Sequence, residues 1–270
     1  MRLHALHAAL TAALLLTTAA PAPALAAEPL DLASMLKLLR ELDERQRNTG
    51  DYKAVALIDQ KRQGKEELVY QAAIYRRDAK DKMVILFLKP KSEAGKGYLR
   101  INKNLLMYDP SVGKWERRTE RESIGGTTSR RRDFDATSFA DEYTPTYVKQ
   151  EALGRFQVHH LRLKVKAGKD VAYPVVDIWV DTKTQNLLKI QEFALSGKLM
   201  RTSYYPKWSR HELPKDRQKP GKTHVYVPQQ IRIFDEVEKG NQTTIVTMSV
   251  ELQTLPDTIF SKGWLESKSR

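Results

Sequence analysis

The chain of 270 residues carries 46 Lys and Arg against 33 Asp and Glu, a formal net charge of +13, and has no Cys. The lack of Cys excludes a disulfide framework and a lipid-bearing N-terminal cysteine, and 41% hydrophobic residues exclude a disordered chain, so stability has to come from a packed core. So basic a surface suits nucleic acid, an acidic protein or an anionic membrane.

The first residues read as a secretory signal peptide over 1–26, with Arg2 as the positive start, Ala8 to Ala20 as a short apolar stretch and Ala24-Leu25-Ala26 as a cleavage site. The apolar run is shorter than the ~20 residues a spanning helix needs. The mature part, 27–270, is expected to be one exported domain. Export argues against nucleic acid and favours an anionic membrane surface, where each basic residue adds up to ~1 kcal/mol. A monomer is expected, with no cofactor and no metal.

Next comes a helix. Leu32, Met35, Leu36, Leu39 and Leu42 recur at helical spacing, with Lys37, Arg40, Glu41 and Glu44 on the other side. Asp31 or Ser34 can cap its start, and Asn48-Thr49-Gly50 closes it. Its apolar stripe is expected to pack on a sheet.

The rest reads mainly as strand, over 52–58, 68–76, 82–88, 97–101, 104–108, 114–118, 156–165, 173–180, 186–194, 199–206, 224–234 and 242–252. Turn signals such as Pro110-Ser111-Val112-Gly113, Ser196-Gly197-Lys198 and Lys239-Gly240-Asn241 separate them. Many short strands joined by hairpin turns predict an antiparallel meander, mainly β, rather than a parallel α/β sheet. In 242–252, Thr244, Val246, Met248, Val250 and Leu252 are predicted to share one face.

One strand breaks the alternation. "DKMVILFLKP", 81–90, is apolar from Met83 to Leu88, so both of its faces need cover. Two segments interrupt the meander. Residues 119–148 are long, polar and Gly-containing, as lids and binding loops are. Within them "SRRRDFD", 129–135, reads first as a solvated loop and second as a membrane or partner patch. Residues 206–223 read as a basic, Pro-rich, solvated hairpin extension.

No catalytic constellation is present: no GxSxG, no HExxH, no Walker A sequence. His159 and His160 are adjacent on a strand, so their side chains point to opposite faces and cannot chelate together. The chain therefore reads as a binder rather than an enzyme.

Three stretches carry a resemblance: "GYLRINKNLLMYDPSVGKWERR" (97–118), "YPVVDIWVDTKTQNLLKIQEFALSGKLMRTSYY" (173–205) and "VYVPQQIRIFDEVEKGNQTTIVTMSVELQTLPDTIFSKGWLE" (225–266). In this order they resemble the outer membrane lipoprotein-sorting proteins, the LolA/LolB-like periplasmic carriers. The region "DATSFADEYTPTY", 135–147, departs from that family's usual segment before the lid; only Ser138, Asp141 and Tyr143 match it.

The resemblance implies an incomplete, strongly curved antiparallel β-barrel with a covering N-terminal helix and a lid segment. It also implies a carrier that shields acyl chains of a lipoprotein or lipid, served by an inner-membrane transporter. Burying acyl chains gains ~0.8 kcal/mol per CH₂, so such a site needs no polar constellation. Under this reading the cavity is lined by Val84, Leu86, Leu88, Leu99, Ile101, Val176, Ile178, Val180, Ile231, Ile233, Val246, Met248 and Val250. Phe134, Phe139, Tyr143 and Tyr147 belong to the lid or a partner loop. The alternative is a non-catalytic envelope module that docks onto an export complex, its concave face filled by its own helix.

Overall fold

The computed structural model describes residues 29–269 apart from 103 and 120, so the expected signal peptide lies outside the described residues. Helix α1 spans Leu32–Gln46. Asp31 caps it by accepting the Ser34 N–H at 2.7 Å. Met35, Leu38, Leu39 and Leu42 form its buried stripe, at the i, i+3, i+4, i+7 positions of one helix face. Leu32, expected in that stripe, is exposed at the open first turn.

Thirteen strands follow: β1 Asp51–Lys61, β2 Leu68–Arg77, β3 Lys82–Lys89, β4 Gly97–Ile101, β5 Asn104–Asp109, β6 Lys114–Arg118, β7 Tyr143–Leu153, β8 Phe156–Val165, β9 Val175–Asp181, β10 Leu187–Phe193, β11 Leu199–Glu212, β12 His224–Asp235 and β13 Gln242–Glu251. They form one antiparallel sheet in the order β6-β5-β4-β3-β2-β1-β13-β12-β11-β10-β9-β8-β7. The pairing of β1 with β13 joins two meanders into one. The sheet curves but does not close, since β6 and β7 are its two free edges. This is the incomplete barrel the resemblance implied.

Strand β7 begins inside the segment expected to be loop, 119–148, and runs five residues beyond it. Pro145 and the Thr residues around it hid it. Proline is tolerated on an edge strand, where its missing N–H faces no partner, and β7 pairs with β8 alone. Because β6 and β7 are opposite edges but successive strands, residues 119–142 must cross the open side of the curve.

Both faces of the sheet are buried in its β2–β4 part. On the concave side, Met83, Ile85 and Phe87 join a large core with α1. On the convex side, Val84, Leu86 and Leu99 pack under the C-terminal segment, through Leu255, Ile259, Phe260 and Leu265. That segment contains a turn at Asp257–Phe260 and helix α2, Lys262–Lys268. The continuous apolar run of "DKMVILFLKP" is thus explained: the hollow's core covers one face and the chain's own C-terminus covers the other.

Candidate functional site: the hollow and its inner cover

The hollow is walled by alternate residues of the strands. Leu161, Leu163, Val176, Ile178, Val180, Ile190, Ile231 and Ile233 meet the stripe of α1 in the large core. Val176, Ile178, Val180, Ile231 and Ile233 are therefore brought together on the concave side. The expected placement of Val84, Leu86 and Leu99 there is corrected, because these residues belong to the convex cluster. Leu88, also expected inside, is 40% exposed, and Ile101 is exposed at the end of β4.

Strand β13 needs a second correction. Thr243 and Ile245 are buried, while Val246 is half-buried and Met248 is 61% exposed. A register shift sets Val55 opposite Ser249 but Ala56 opposite Thr247, leaving Met248 as an extra residue. Such a bulge inverts the phase, so Val250 and Leu252 pack against the core that Val246 and Met248 avoid.

The crossing segment fills the mouth. Phe134, Phe139 and Tyr143 are buried in the large core, and Tyr147 packs against it. The rings of Phe139 and Tyr143 meet edge to face at 6.3 Å. The Arg132 guanidinium lies 6.0 and 5.8 Å from their centroids. At the other end of the crossing, Tyr70 donates to the Gly125 carbonyl and Tyr98 accepts the Gly125 N–H, both at 2.9 Å. Gly125 has φ +61°, and a Cβ there would come within 2.8 Å of the Phe87 ring, so only glycine fits under this strap.

"SRRRDFD", expected as a solvated loop, is instead the anchor of the crossing. Asp133 accepts from Arg201 at 2.8 Å, and Arg201 Nε lies 3.0 Å from Glu192. Arg132 pairs with Glu142 at 2.8 Å. Asp135 is reached by Arg131 at 2.5 Å, Arg100 at 3.0 Å and Arg76 at 3.7 Å. Arg76 also pairs with Asp78 at 2.8 Å. Burial by itself would raise the Asp135 carboxyl, but Arg100, Arg76 and Arg131 together hold it below the usual carboxylate range. The segment is thereby tied to β2, β4, β10 and β11.

Sequence reasoning missed Arg76, Arg100, Glu192 and Arg201, all buried. A signal was available for Arg76, which follows Tyr70, Ala72 and Ile74 in the apolar phase of its strand. A charge at an inward position needs a buried partner.

Helix α1 is held differently. Its polar contacts to the rest of the chain come from Asp43 to Gln46. Asp43 accepts the N–H groups of Phe139 and Ala140 at 2.9 and 2.8 Å. Burial pushes the Asp43 carboxyl up, against those hydrogen bonds. Arg45 donates to the carbonyls of Thr184 and Gln185, both at 2.7 Å, and stacks over Tyr226 at 4.1 Å. Gln46 donates to Thr137 at 3.1 Å. Beside this end lies a cavity of about 280 Å³ whose lining includes Arg47, Arg100, Thr137, Ser138, Ile190 and Tyr205. Among the described residues no group of three or more His, Asp or Glu could hold a metal ion.

Solved structures share this architecture. An outer membrane lipoprotein-sorting protein domain from Vibrio parahaemolyticus superposes with a TM-score of 0.71 at 18% identity, over 86% of this chain and 97% of that one. A LolA superfamily protein from Nitrosomonas europaea gives 0.68 at 21% identity, over 84% and 97%. A DUF1329 family protein from Desulfovibrio piger gives 0.74 at 19% identity, over 87% and 98%. A family model described as a "-like" uncharacterized protein matches residues 79–267. The chain belongs to that family, and its fold is LolA-like. No curated protein matches it. The matches cover 84–87% of this chain, so the half-open curve belongs to the shared fold. Among the described residues no helix is long and apolar enough to cross a membrane.

Proposed function

We propose that this LolA-like protein is a periplasmic, non-catalytic carrier that shields acyl chains of a lipoprotein or lipid on the way to the outer membrane. The observation that carries this reading is how the inner cover is built. An apolar stripe, Met35 to Leu42, lies on an apolar wall, and among the described residues the helix bearing it is pinned by polar contacts only at its Asp43–Gln46 end. A cover of this kind can exchange its own Leu side chains for acyl chains at small cost, since both gain about the same from leaving water. The wall offered to the cargo would be Leu161, Leu163, Val176, Ile178, Val180, Ile231 and Ile233. The carrier would be a single monomeric domain from residue 27 onward, exported by its cleaved signal peptide and loaded by an inner-membrane transporter.

A second reading also has an observation behind it: the hollow is full, with Leu39 and Phe139 essentially without solvent contact. An envelope docking module would look the same. Organic extraction of the purified protein with mass spectrometry, combined with titration of a fluorescent acyl probe, separates the two. Copurified lipid and saturable uptake are expected. No lipid and no uptake would overturn the carrier in favour of the docking module.

A further inference from the structure

The β11–β12 extension carries a charge concentration that the hollow does not use. Residues 206–223 contain Lys207, Arg210, Lys215, Arg217, Lys219 and Lys222 against Glu212 and Asp216, a net +4 of the chain's +13. Lys207, Arg210, Lys215 and Lys219 are exposed, and among the described residues none has a carboxylate at ion-pair distance. Elsewhere some exposed cations are matched, as Lys61 is by Glu67, Lys149 by Glu151 and Lys169 by Asp141, and others such as Lys65, Lys114, Lys183 and Lys198 stand alone; the extension differs in carrying its cations close together on one fixed element.

The extension is a built platform rather than a loose loop. Leu213 is buried, and its N–H donates to the Thr223 carbonyl at 2.9 Å. Arg217 donates to Thr254 at 2.7 Å, and its carbonyl accepts from the Thr49 hydroxyl at 2.9 Å. Gly50 is packed so closely on Arg217 that a Cβ there would meet its Nη1 at 2.7 Å. Lys222 donates to the Glu44 carbonyl in the last turn of α1, where a cation suits the helix dipole. The extension that carries these four cations is thus fixed to the pinned end of the inner cover.

We infer that this platform is where the protein docks on an anionic lipid surface. The inference rests on the carrier reading for its purpose, since docking here sets the cover of the hollow beside the bilayer. A lipid surface fits better than an acidic protein because the exposed platform residues, Lys, Arg and Pro with Glu212, Asp216, Gly221 and Thr223 among them, include no exposed aromatic anchor. A fluid field of headgroups needs charge alone.

The test uses the exported protein and sedimentation with vesicles of phosphatidylcholine alone or with about one-third phosphatidylglycerol. Each cation near such a surface changes partition roughly fivefold. Binding is expected only with phosphatidylglycerol, falling steeply with salt. The variant K207Q/R210Q/K215Q/K219Q should lose at least tenfold, while K65Q/K114Q/K183Q/K198Q, with the same charge removed elsewhere, loses far less. Equal losses in the two variants, or no preference for phosphatidylglycerol, would overturn the inference. So would retention on immobilised polyglutamate without vesicle binding, which identifies an acidic protein partner instead. Acyl-probe uptake in vesicle-free solution, together with the melting temperature, should be unchanged in both variants. Loss of uptake in the wild type would count against the carrier reading and leave the docking result standing.

Discussion

The two covers of the sheet lie back to back on β2–β4 and are held by different physics. The outer cover is apolar from Leu255 to Leu265 on its inner side, with polar ties at its ends: Arg77 pairs with Asp51 at 2.8 Å and with Asp257, and Trp115 donates to Glu266 at 2.6 Å. The inner cover combines α1, attached at one end, with a crossing segment fixed by buried ion pairs. An apolar seal is non-directional and resists opening along its whole area. A charged anchor is directional: it fixes one segment in register and leaves the apolar stripe of the helix beside it, Met35 to Leu42, tied by polar contacts only at its Asp43–Gln46 end among the described residues. The difference suggests that the outer cover is permanent core and that α1 is the exchangeable part.

The largest effect is expected from Asp133→Ala. It takes from Arg201, only 2% exposed, one of its two buried carboxylate partners and leaves Glu192 alone to balance it; breaking such a buried pair costs up to about 3–5 kcal/mol. Urea unfolding reads this directly, and a loss under 1 kcal/mol would show that the crossing is not charge-anchored. Leu265→Ala should cost about 2–4 kcal/mol by opening a cavity under the outer cover, while acyl-probe uptake by the folded fraction stays the same. If uptake changes with Leu265, the two covers are not independent.

Asp43→Ala unpins α1 from Phe139 and Ala140 and should cost about 1–3 kcal/mol. It should also speed probe uptake in stopped-flow mixing; slower uptake would assign the moving part elsewhere. Acid separates the anchors further. The folded Asp135 carboxyl is held low, so its contribution is fully present above its unfolded value of about 3.9 and is lost as pH falls through the lower folded value. Asp135→Asn should flatten the acid limb of stability below about pH 4, and an unchanged acid limb would refute this role. The smallest effect belongs to Met248→Glu, within about 0.5 kcal/mol, because Met248 stands on the bulge facing water. Uptake lost in that variant would return Met248 to the cavity wall.

Local pattern made much of this legible. Helix α1, twelve of the thirteen strands and the need for two covers on 81–90 follow from periodicity and turn residues. Strand β7 did not, because Pro145 reads as a breaker until its place at the sheet edge is known. The cavity wall was half legible. Alternation names the two residue sets of a strand but carries no label for inside. At β3 the set chosen for the hollow lies under the C-terminus, and at β13 one bulged residue exchanged the sets.

The sequence by itself determined a Cys-free, basic, antiparallel β chain with an amphipathic helix, because these depend on neighbours a few residues apart. Tertiary structure alone decided which face is concave, and that the Arg-rich crossing is buried rather than solvated. Arg201 and Asp133 stand 68 positions apart, and Arg100 and Asp135 stand 35 apart. Whether a charge faces water or a partner is settled only when the curve of the sheet brings such residues together.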